Sequence, residues 1–238
     1  MMIEHTAKAF DVDLQEITRL VAEMGGLAEK QVADSVDALT RRDGERARRV
    51  LAADANIDAL QHEIEEKAVL TIARRQPMAV DLRDIVGALR LASDLERIGD
   101  LAKNIAKRVT AINGDFHPQR LLRGIQHMSA LVLTQLKGVL DAYASHDLNK
   151  ALAVWEGDEE VDAMCTSLFR ELLTYMMEDP RNITFCIHLM FCAKNIERMG
   201  DHATNIAETV HYMIQGRAIV DERPKGDTTS VFAAAGEQ

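Results

Sequence analysis

Apolar residues recur along this chain at the alternating three- and four-residue steps of amphipathic helices. The first segment shows the pattern most clearly, and it ends near Leu39, where the letters TRRDG mark a turn. This spacing places the apolar side chains on one face and predicts a long helix that packs against other helices. The apolar positions of the segment are Phe10, Leu14, Ile17, Val21, Met24 and Ala28.

Turn signals divide the rest of the chain into five further helical segments. Asp43 is a suitable N-cap for the second segment, and Pro77 ends it because proline cannot continue a helix. The letters NGD, SHD and EDP mark the later boundaries, the last with Asp179 as N-cap and Pro180 at the first helical position. Helices two to six are predicted to end near Arg75, Ile112, residue 144, Glu178 and Gly216.

Residues 92–109 and 193–210 are two copies of one segment, since ten of eighteen positions are identical at an offset of 101 residues. The chain is therefore predicted to be all-α: two tandem antiparallel three-helix bundles, with six long helices, related by internal duplication. The predicted domains are residues 1–113 and 114–216. With only two copies, each bundle is expected to bury its own core. Residues 217–238 show no period and are predicted to be a disordered tail.

Composition limits the classes of function. Aromatic residues make up only 4% of the chain, which favours helices over strands. The net charge of −10 argues against nucleic-acid binding and against attachment to an anionic membrane surface. No apolar run is long enough for membrane insertion, no secretory signal opens the chain, and the three cysteines form no C-x-x-C. We therefore expect a cytoplasmic protein with reduced, buried cysteines.

Acidic residues recur four positions apart in both halves. A like-charged pair at this spacing on a helix costs roughly a few tenths of a kcal/mol unless something neutralises it. Each half carries one such pair in its second helix and another in its third. The first half contains Asp54, Asp58, Glu96 and Asp100, and the second contains Asp158, Asp162, Glu197 and Asp201.

A hairpin that turns at Pro77 sets the two acidic pairs of the first half level with each other. A turn between Asp179 and Pro180 does the same in the second half, so four carboxylates are expected to meet in each bundle. Two interpretations stay open. A hard cation such as Mg²⁺, Mn²⁺, Ca²⁺ or iron could bind at a shallow surface site, or basic residues such as Arg97 and Arg198 could bridge the acids.

Several other features are weaker candidates for function. Gly99 and Gly200 lie within the two acidic motifs, where they leave room for a close helix or for ions, or reflect shared ancestry alone. His202 is a possible extra ligand. Glu208 and His211 match the E-x-x-H of di-iron bundles once, as expected by chance.

Trp155 is expected in the core, and the basic stretch 41–49 is a solvated turn or a docking point. No phosphate-binding P-loop or nucleophile motif occurs, so no enzyme is indicated.

The letters LERIGD…NIA and IERMGD…NIA, each preceded by D-x-x-x-D, resemble the PhoU family of bacterial phosphate-signalling regulators over about residues 4–215. The resemblance implies a cytoplasmic, often dimeric negative regulator of the phosphate-starvation response. It implies two partners, the ATPase subunit of the phosphate ABC transporter and the phosphate-sensing histidine kinase. It also implies that the eight acids bind divalent or trivalent metal ions such as Mg, Mn, Fe or Zn.

Three other classes of protein are compatible with this pattern. A di-metal carboxylate oxidase or storage protein would need buried E-x-x-H pairs. A helical scaffold would use the acids only for salt bridges. A metal-binding accessory protein of another phosphate transporter would share the helical bundle but not the regulatory role.

Overall fold

The computed structural model describes residues 2–112, 119–221 and 223, with side chains from residue 10 onward. Its described residues contain helices and no strand, which confirms the predicted all-α fold with six long helical segments. The elements are α1 (Met2–Arg41), α2 (Gly44–Arg75), α3 (Val80–Ala111), α4 (Gln119–Ser145), α5 (Leu148–Glu156), α6 (Asp158–Glu178), a 3₁₀ turn (Pro180–Asn182) and α7 (Ile183–Gln215).

The fifth predicted helix is interrupted, and this corrects the expectation of one continuous segment up to Glu178. It divides at Gly157 into α5 and α6. Glycine is a poor helix former, and the Gly157 carbonyl accepts a hydrogen bond of 2.9 Å from the Gln135 side chain on α4. The break therefore combines a weak local preference with a contact from another helix.

Acidic N-caps begin the helices close to the predicted positions. Asp43 accepts a hydrogen bond of 2.9 Å from the Arg46 backbone N–H, and Asp147 caps α5 in the same way. Asp179 caps the short 3₁₀ turn, with its carboxylate 2.9 Å from the Arg181 backbone N–H. The turn separates Pro180 from the start of α7, so the proline opens the turn and not the long helix itself.

The two bundles meet along α3 and α7, which run antiparallel. Arg108 lies beside His188 near one end of this pair, and Asp94 lies beside His202 further along. One large apolar core extends through both bundles, so the expectation of a separate core for each bundle is wrong. The reason is that α3 buries adjacent residues, such as Leu101 and Ala102, and so presents an apolar face wider than one stripe. A small second cluster consists of Ala38, Ala47, Val50 and Ala106.

The described part of the tail, residues 217–221 and 223, lies outside any helix or strand. The remainder of the predicted disordered segment, and residues 113–118 between α3 and α4, fall outside the described residues. The domain limits at residues 113 and 216 stay a prediction. None of the described helices combines the length and apolar character needed to cross a membrane. Cys165, Cys186 and Cys192 are buried and form no disulfide, as expected.

Close packing between α3 and α7 depends on Gly87. A Cβ atom at this position would lie 2.2 Å from the Met213 sulfur and 2.5 Å from its Cγ. We predict that Gly87→Ala lowers stability by about 1–3 kcal/mol through overpacking. The matched control is Gly26→Ala on α1, where a Cβ meets nothing within 4 Å, so higher helix propensity should add up to about 1 kcal/mol. Urea denaturation measures both, and equal effects would contradict the packing argument.

Candidate functional site

The first acidic cluster lies between α2 and α3. Asp54 is buried at 4% exposure, and the Lys103 ammonium donates to its carboxylate. The same Lys103 nitrogen is 3.5 Å from Asp100. Asp58 is exposed and lies near enough to Glu96 for its charge to act on that carboxyl. The α2–α3 hairpin thus brings the four predicted acids of the first half to one region.

The surroundings of Glu96 in this cluster disfavour the charged form of its carboxyl group. Burial raises its pKa first of all, and the negative charges of Asp100 and Asp58 raise the pKa further. Arg97 lowers the pKa of Glu96 and so opposes this rise. Its Nε is 3.5 Å from Glu96 and its Nη1 is 3.5 Å from Asp100. Because the Arg97 side chain is 59% exposed, water weakens its compensation of the two acids.

The second cluster, between α6 and α7, is deeper than predicted. Asp158, Asp162 and Glu197 are all buried, whereas a shallow surface site was expected for both halves. Burial raises the pKa of Glu197, and the charges of Asp201 and Asp162 add to the rise while Lys194 lowers it. The Glu197 Oε1 atom is 2.7 Å from the Lys194 ammonium. Its Oε2 atom is buried and has no hydrogen-bond partner among the described residues.

Arg223, in the tail, adds a second positive charge to this cluster beside that of Lys194. Its Nε is 2.9 Å from Asp158 and its Nη2 is 2.7 Å from Asp201. The position equivalent to Lys103 in this half is Thr204, whose hydroxyl donates to Asp158 at 3.1 Å. In the first half the cation beside the buried aspartate is Lys103, which belongs to the motif itself. In the second half it is Arg223, which lies 65 residues after Asp158 in the sequence.

Basic side chains bridge both clusters, as one of the two sequence interpretations required. Lys103, Lys194 and Arg223 make the closest contacts, so the bridging falls mainly to basic residues other than the two named as examples. Arg97 contributes a longer contact of 3.5 Å. Within the described chain, no three His, Cys, Asp or Glu side chains are spaced to share one metal ion. The acids of each cluster lie close together, but in this structure they pair with basic side chains of the same chain.

Two buried glutamines belong to these sites and were missed in the sequence. Gln31 on α1 and Gln135 on α4 each bury a side-chain oxygen that has no partner among the described residues. Cβ atoms at Gly99 and Gly200 would lie 3.1 Å and 3.4 Å from these oxygens. A signal was present, because Gln31 precedes Asp54 by the same 23 residues that separate Gln135 from Asp158.

The motif glycines differ in what they allow. A Cβ at Gly99 would come within 2.9 Å of the buried Ile57 side chain, so close approach of α2 requires glycine there. Around Gly200 the nearest atoms are 3.4 Å or more away, which an alanine would tolerate. Helix packing therefore explains the first glycine and not the second.

The other candidates make structural contacts. The His202 Nδ1 atom is 2.8 Å from Asp94, across the contact between α3 and α7. Glu208 accepts a hydrogen bond of 3.2 Å from the buried Trp155, and His211 contacts the Arg217 carbonyl. The two residues of the single E-x-x-H thus stabilise the packing of α7 against Trp155 and the end of α7 in this structure.

The basic stretch 41–49 is partly neutralised. Arg46 pairs with Asp37 and lies 3.5 Å from Asp34, both of which belong to α1. Arg48 forms an ion pair of 2.6 Å with Glu45 within α2. These contacts fit the interpretation of a solvated turn, and the docking role stays a prediction.

Fold and site together define a class: helical proteins of two duplicated bundles, each with four acids gathered between its second and third helices. The PhoU domain matches residues 21–109 and 125–210, one match in each half. This chain belongs to the PhoU family, which confirms the resemblance. The family consists of regulatory accessory proteins, so the chain is not an enzyme.

Similar proteins match over nearly their whole length. The phosphate-specific transport system accessory protein PhoU homolog of Rhizobium meliloti (strain 1021) is 58% identical over 230 residues, 97% of each chain. The crystal structure of PhoU from Pseudomonas aeruginosa has a TM-score of 0.84 at 38% identity and covers 87% of this chain and all of that one. The phosphate transport system regulatory protein PhoU from Streptococcus pneumoniae has a TM-score of 0.82 at 27% identity, with coverages of 88% and 99%.

We predict that the Arg223 contacts stabilise the fold. Arg223→Ala leaves the buried Asp158 without its charged partner and should cost about 1–3 kcal/mol, a fall in Tm of several degrees. Arg217→Ala removes an exposed arginine from the same segment and should change Tm by less than about 1 °C. Thermal unfolding in the presence of a chelator measures both variants. Equal shifts would show that the tail contact is energetically neutral.

Proposed function

We propose that this protein is a cytoplasmic accessory protein of a phosphate-specific transport system and a negative regulator of the phosphate-starvation response. The observation that carries the proposal is the 58% identity, over 97% of both chains, to a protein named for that accessory role. The structurally similar Streptococcus pneumoniae protein is named a phosphate transport system regulatory protein, which supports the same role. The molecule would act by binding other proteins and not by chemistry of its own.

The proposed partners are the transporter's ATPase subunit and the phosphate-sensing histidine kinase, which the protein would connect as an adaptor. The distribution of exposed apolar side chains supports two separate contacts. Met78 and Val80 are 80% and 52% exposed at the α2–α3 turn, and Met177 and Phe191 are 86% and 51% exposed near the α6–α7 turn. Because α3 and α7 run antiparallel, these two regions lie at opposite ends of the molecule. A homodimer is part of the same proposal.

We further propose that the two acidic clusters bind hard cations such as Mg²⁺, Mn²⁺ or iron, with Zn²⁺ as an alternative. The residues present fit such ions, because their donors are carboxylate oxygens and the buried Glu197 Oε2 lacks a partner among the described residues. Burial raises the pKa of Glu96 and of Glu197, which marks carboxylates that need positive charge nearby. The proposed ligands are Asp54, Asp58, Glu96, Asp100, Asp158, Asp162, Glu197 and Asp201.

Bound cations would reverse the local charge of an acidic surface and so create a platform for phosphate or for acidic regions of a partner. For this to occur, Lys103, Lys194 and Arg223 must leave their carboxylate partners. Metal binding and internal salt bridges are therefore competing uses of the same acids. A helical scaffold without metal is the alternative that the observed salt bridges favour.

Gene expression tests the regulatory proposal. In a strain that lacks this gene, phosphate-starvation genes should be transcribed in high-phosphate medium, and a plasmid-borne wild-type copy should silence them. Transcript levels with and without the plasmid are the measurement. Genes that stay silent in the deletion strain would remove the regulator assignment.

Glu96→Gln separates the metal proposal from the scaffold alternative. Without cations, removal of one repelled charge should raise Tm slightly, by about 1–2 °C. With Mn²⁺ added, the wild type should gain further stability through binding, and the variant should lose the part that comes from the first cluster. Elemental analysis should show correspondingly less bound metal per chain.

The control for this test is Glu63→Gln, which removes an exposed charge from α2 outside the cluster. It should keep the full wild-type response to Mn²⁺. A wild-type protein with no Tm response to any of the proposed cations would favour the scaffold.

A further inference from the structure

A cavity of about 410 Å³ lies where the last turns of α3 pass the first half of α7. We call it the α3–α7 basic pocket. Of its six lining residues, three are Lys, Arg or His and two are Asn, and none is acidic. This is unusual in a chain with a net charge of −10. The lining consists of Asn104, Lys107, Arg108, Ala111, His188 and Asn195.

Two side chains of α7 contact Arg108 in this pocket. Its guanidinium carbon lies 4.1 Å from the centroid of the Phe191 ring, and its Nη1 is 3.4 Å from His188 Nδ1. The Nε atom is buried and has no hydrogen-bond partner among the described residues. No ion pair between Arg108 and a carboxylate occurs in the described parts of the chain. A fixed guanidinium without an acid is a preformed binding group for an anion.

His188 adds a second donor. Burial lowers the pKa of its imidazole, and the positive charge of Arg108 lowers the pKa further, so the ring is neutral at physiological pH. Arg108 donates toward Nδ1, which assigns the proton to Nε2. The ring therefore offers one N–H as a hydrogen-bond donor.

The duplication provides an internal comparison. At the offset of 101 residues, Lys107 corresponds to Glu208 and Arg108 corresponds to Thr209, and both of these line the equivalent groove in the other half. That groove also contains Asp221 and one basic residue, Arg90, and the tail residues Ala218 and Ile219 form part of its wall. The same fold has thus produced one acidic groove walled by the tail and one basic groove.

A purely structural role for Arg108 explains fewer of these observations than the binding of an anion does. Phe191 is 51% exposed, and a cation–π contact at such a site contributes about 0.5–1 kcal/mol. That contact leaves the buried Nε unsatisfied, and it accounts neither for Asn195 nor for Lys107, whose ammonium lies 3.5 Å from the Asn104 side-chain oxygen. An oxyanion would accept hydrogen bonds from several of these donors at once.

We propose that the α3–α7 basic pocket binds a phosphate-type oxyanion, either inorganic phosphate or the phosphate group of a small monoester. Arg108 is the principal binding residue, with Lys107 and His188 as additional donors. The inference deepens the proposed function by giving the regulator a site for the transported solute, and it rests on that function only for the biological source of the oxyanion. The site is separate from the acidic clusters and needs no metal.

Titration calorimetry of the full chain with inorganic phosphate tests this proposal. A chelator is included throughout, so that any phosphate bound through metal at the acidic clusters is excluded. The expected result is one site per chain, weakened about tenfold or more by Arg108→Gln. The matched control is Arg90→Gln, which removes an arginine that lies 5.5 Å from the Tyr212 ring and lines the other groove, and it should leave binding unchanged.

A second readout locates the ligand. Phosphate should shift the imidazole NMR signals of His188 in the wild type and not in Arg108→Gln. If Arg108→Gln fails to fold, Lys107→Gln replaces it, because Lys107 is exposed and its loss should weaken binding several-fold. Phenyl phosphate in a parallel titration distinguishes the sources: tighter binding than phosphate indicates a monoester, and weaker binding indicates the free ion.

Three outcomes would overturn the proposal: no binding at millimolar phosphate, unchanged binding in Arg108→Gln, or equal loss in Arg90→Gln. These outcomes differ from a failure of the proposed function, which is read from starvation-gene transcripts in the deletion strain. The regulator could hold without the pocket, and the pocket could bind phosphate in a protein with another role.

Discussion

The antiparallel packing of α3 against α7 is the contact on which the rest of this molecule depends. It joins two three-helix bundles into one apolar core and requires the close approach that Gly87 permits beside Met213. The same two helices carry half of the acids in each cluster and line both of the grooves along their contact. A shift of one helix along the other would change both of these grooves together.

Compensation of buried charge is the second constraint. Carboxylates such as Asp54 and Asp158 are almost inaccessible to water, and burying a charged group is costly unless a group of opposite charge pairs with it. The two halves meet this need differently, with Lys103 inside the motif of the first and Arg223 from the tail in the second. The duplicated sequence has therefore kept the acids while the source of positive charge diverged.

Divergence of the two halves extends to the grooves. One copy of the pattern has Lys107 and Arg108 where the other has Glu208 and Thr209, so related backbones present opposite charge. An adaptor with two distinguishable halves can bind different partners, whereas a perfectly repeated one would present the same surface twice. The opposite charge of the two grooves, on two halves of similar fold, is thus the physical basis for the proposed adaptor role.

Much of the fold and part of the site could be predicted from local patterns. Apolar spacing, the Asp43 cap and the proline turns determined where helices begin and end, since these depend on residues within a few positions of each other. The duplication and the acidic spacing identified the eight acids and the family. The break at Gly157 was missed, because the contact that accompanies it comes from Gln135 on another helix.

Tertiary structure alone decided the partners of those acids and the shape of the core. The contacts of Arg223 and the buried positions of Gln31 and Gln135 depend on residues far apart in the chain. Likewise, the basic pocket exists only because α3 and α7 pass each other with Arg108 beside His188. The sequence by itself determined the helices, the repeat and the positions of the acids. The pairing of charges and the geometry of the pocket depend on how the helices pack, and the local spacing of residues does not specify that packing.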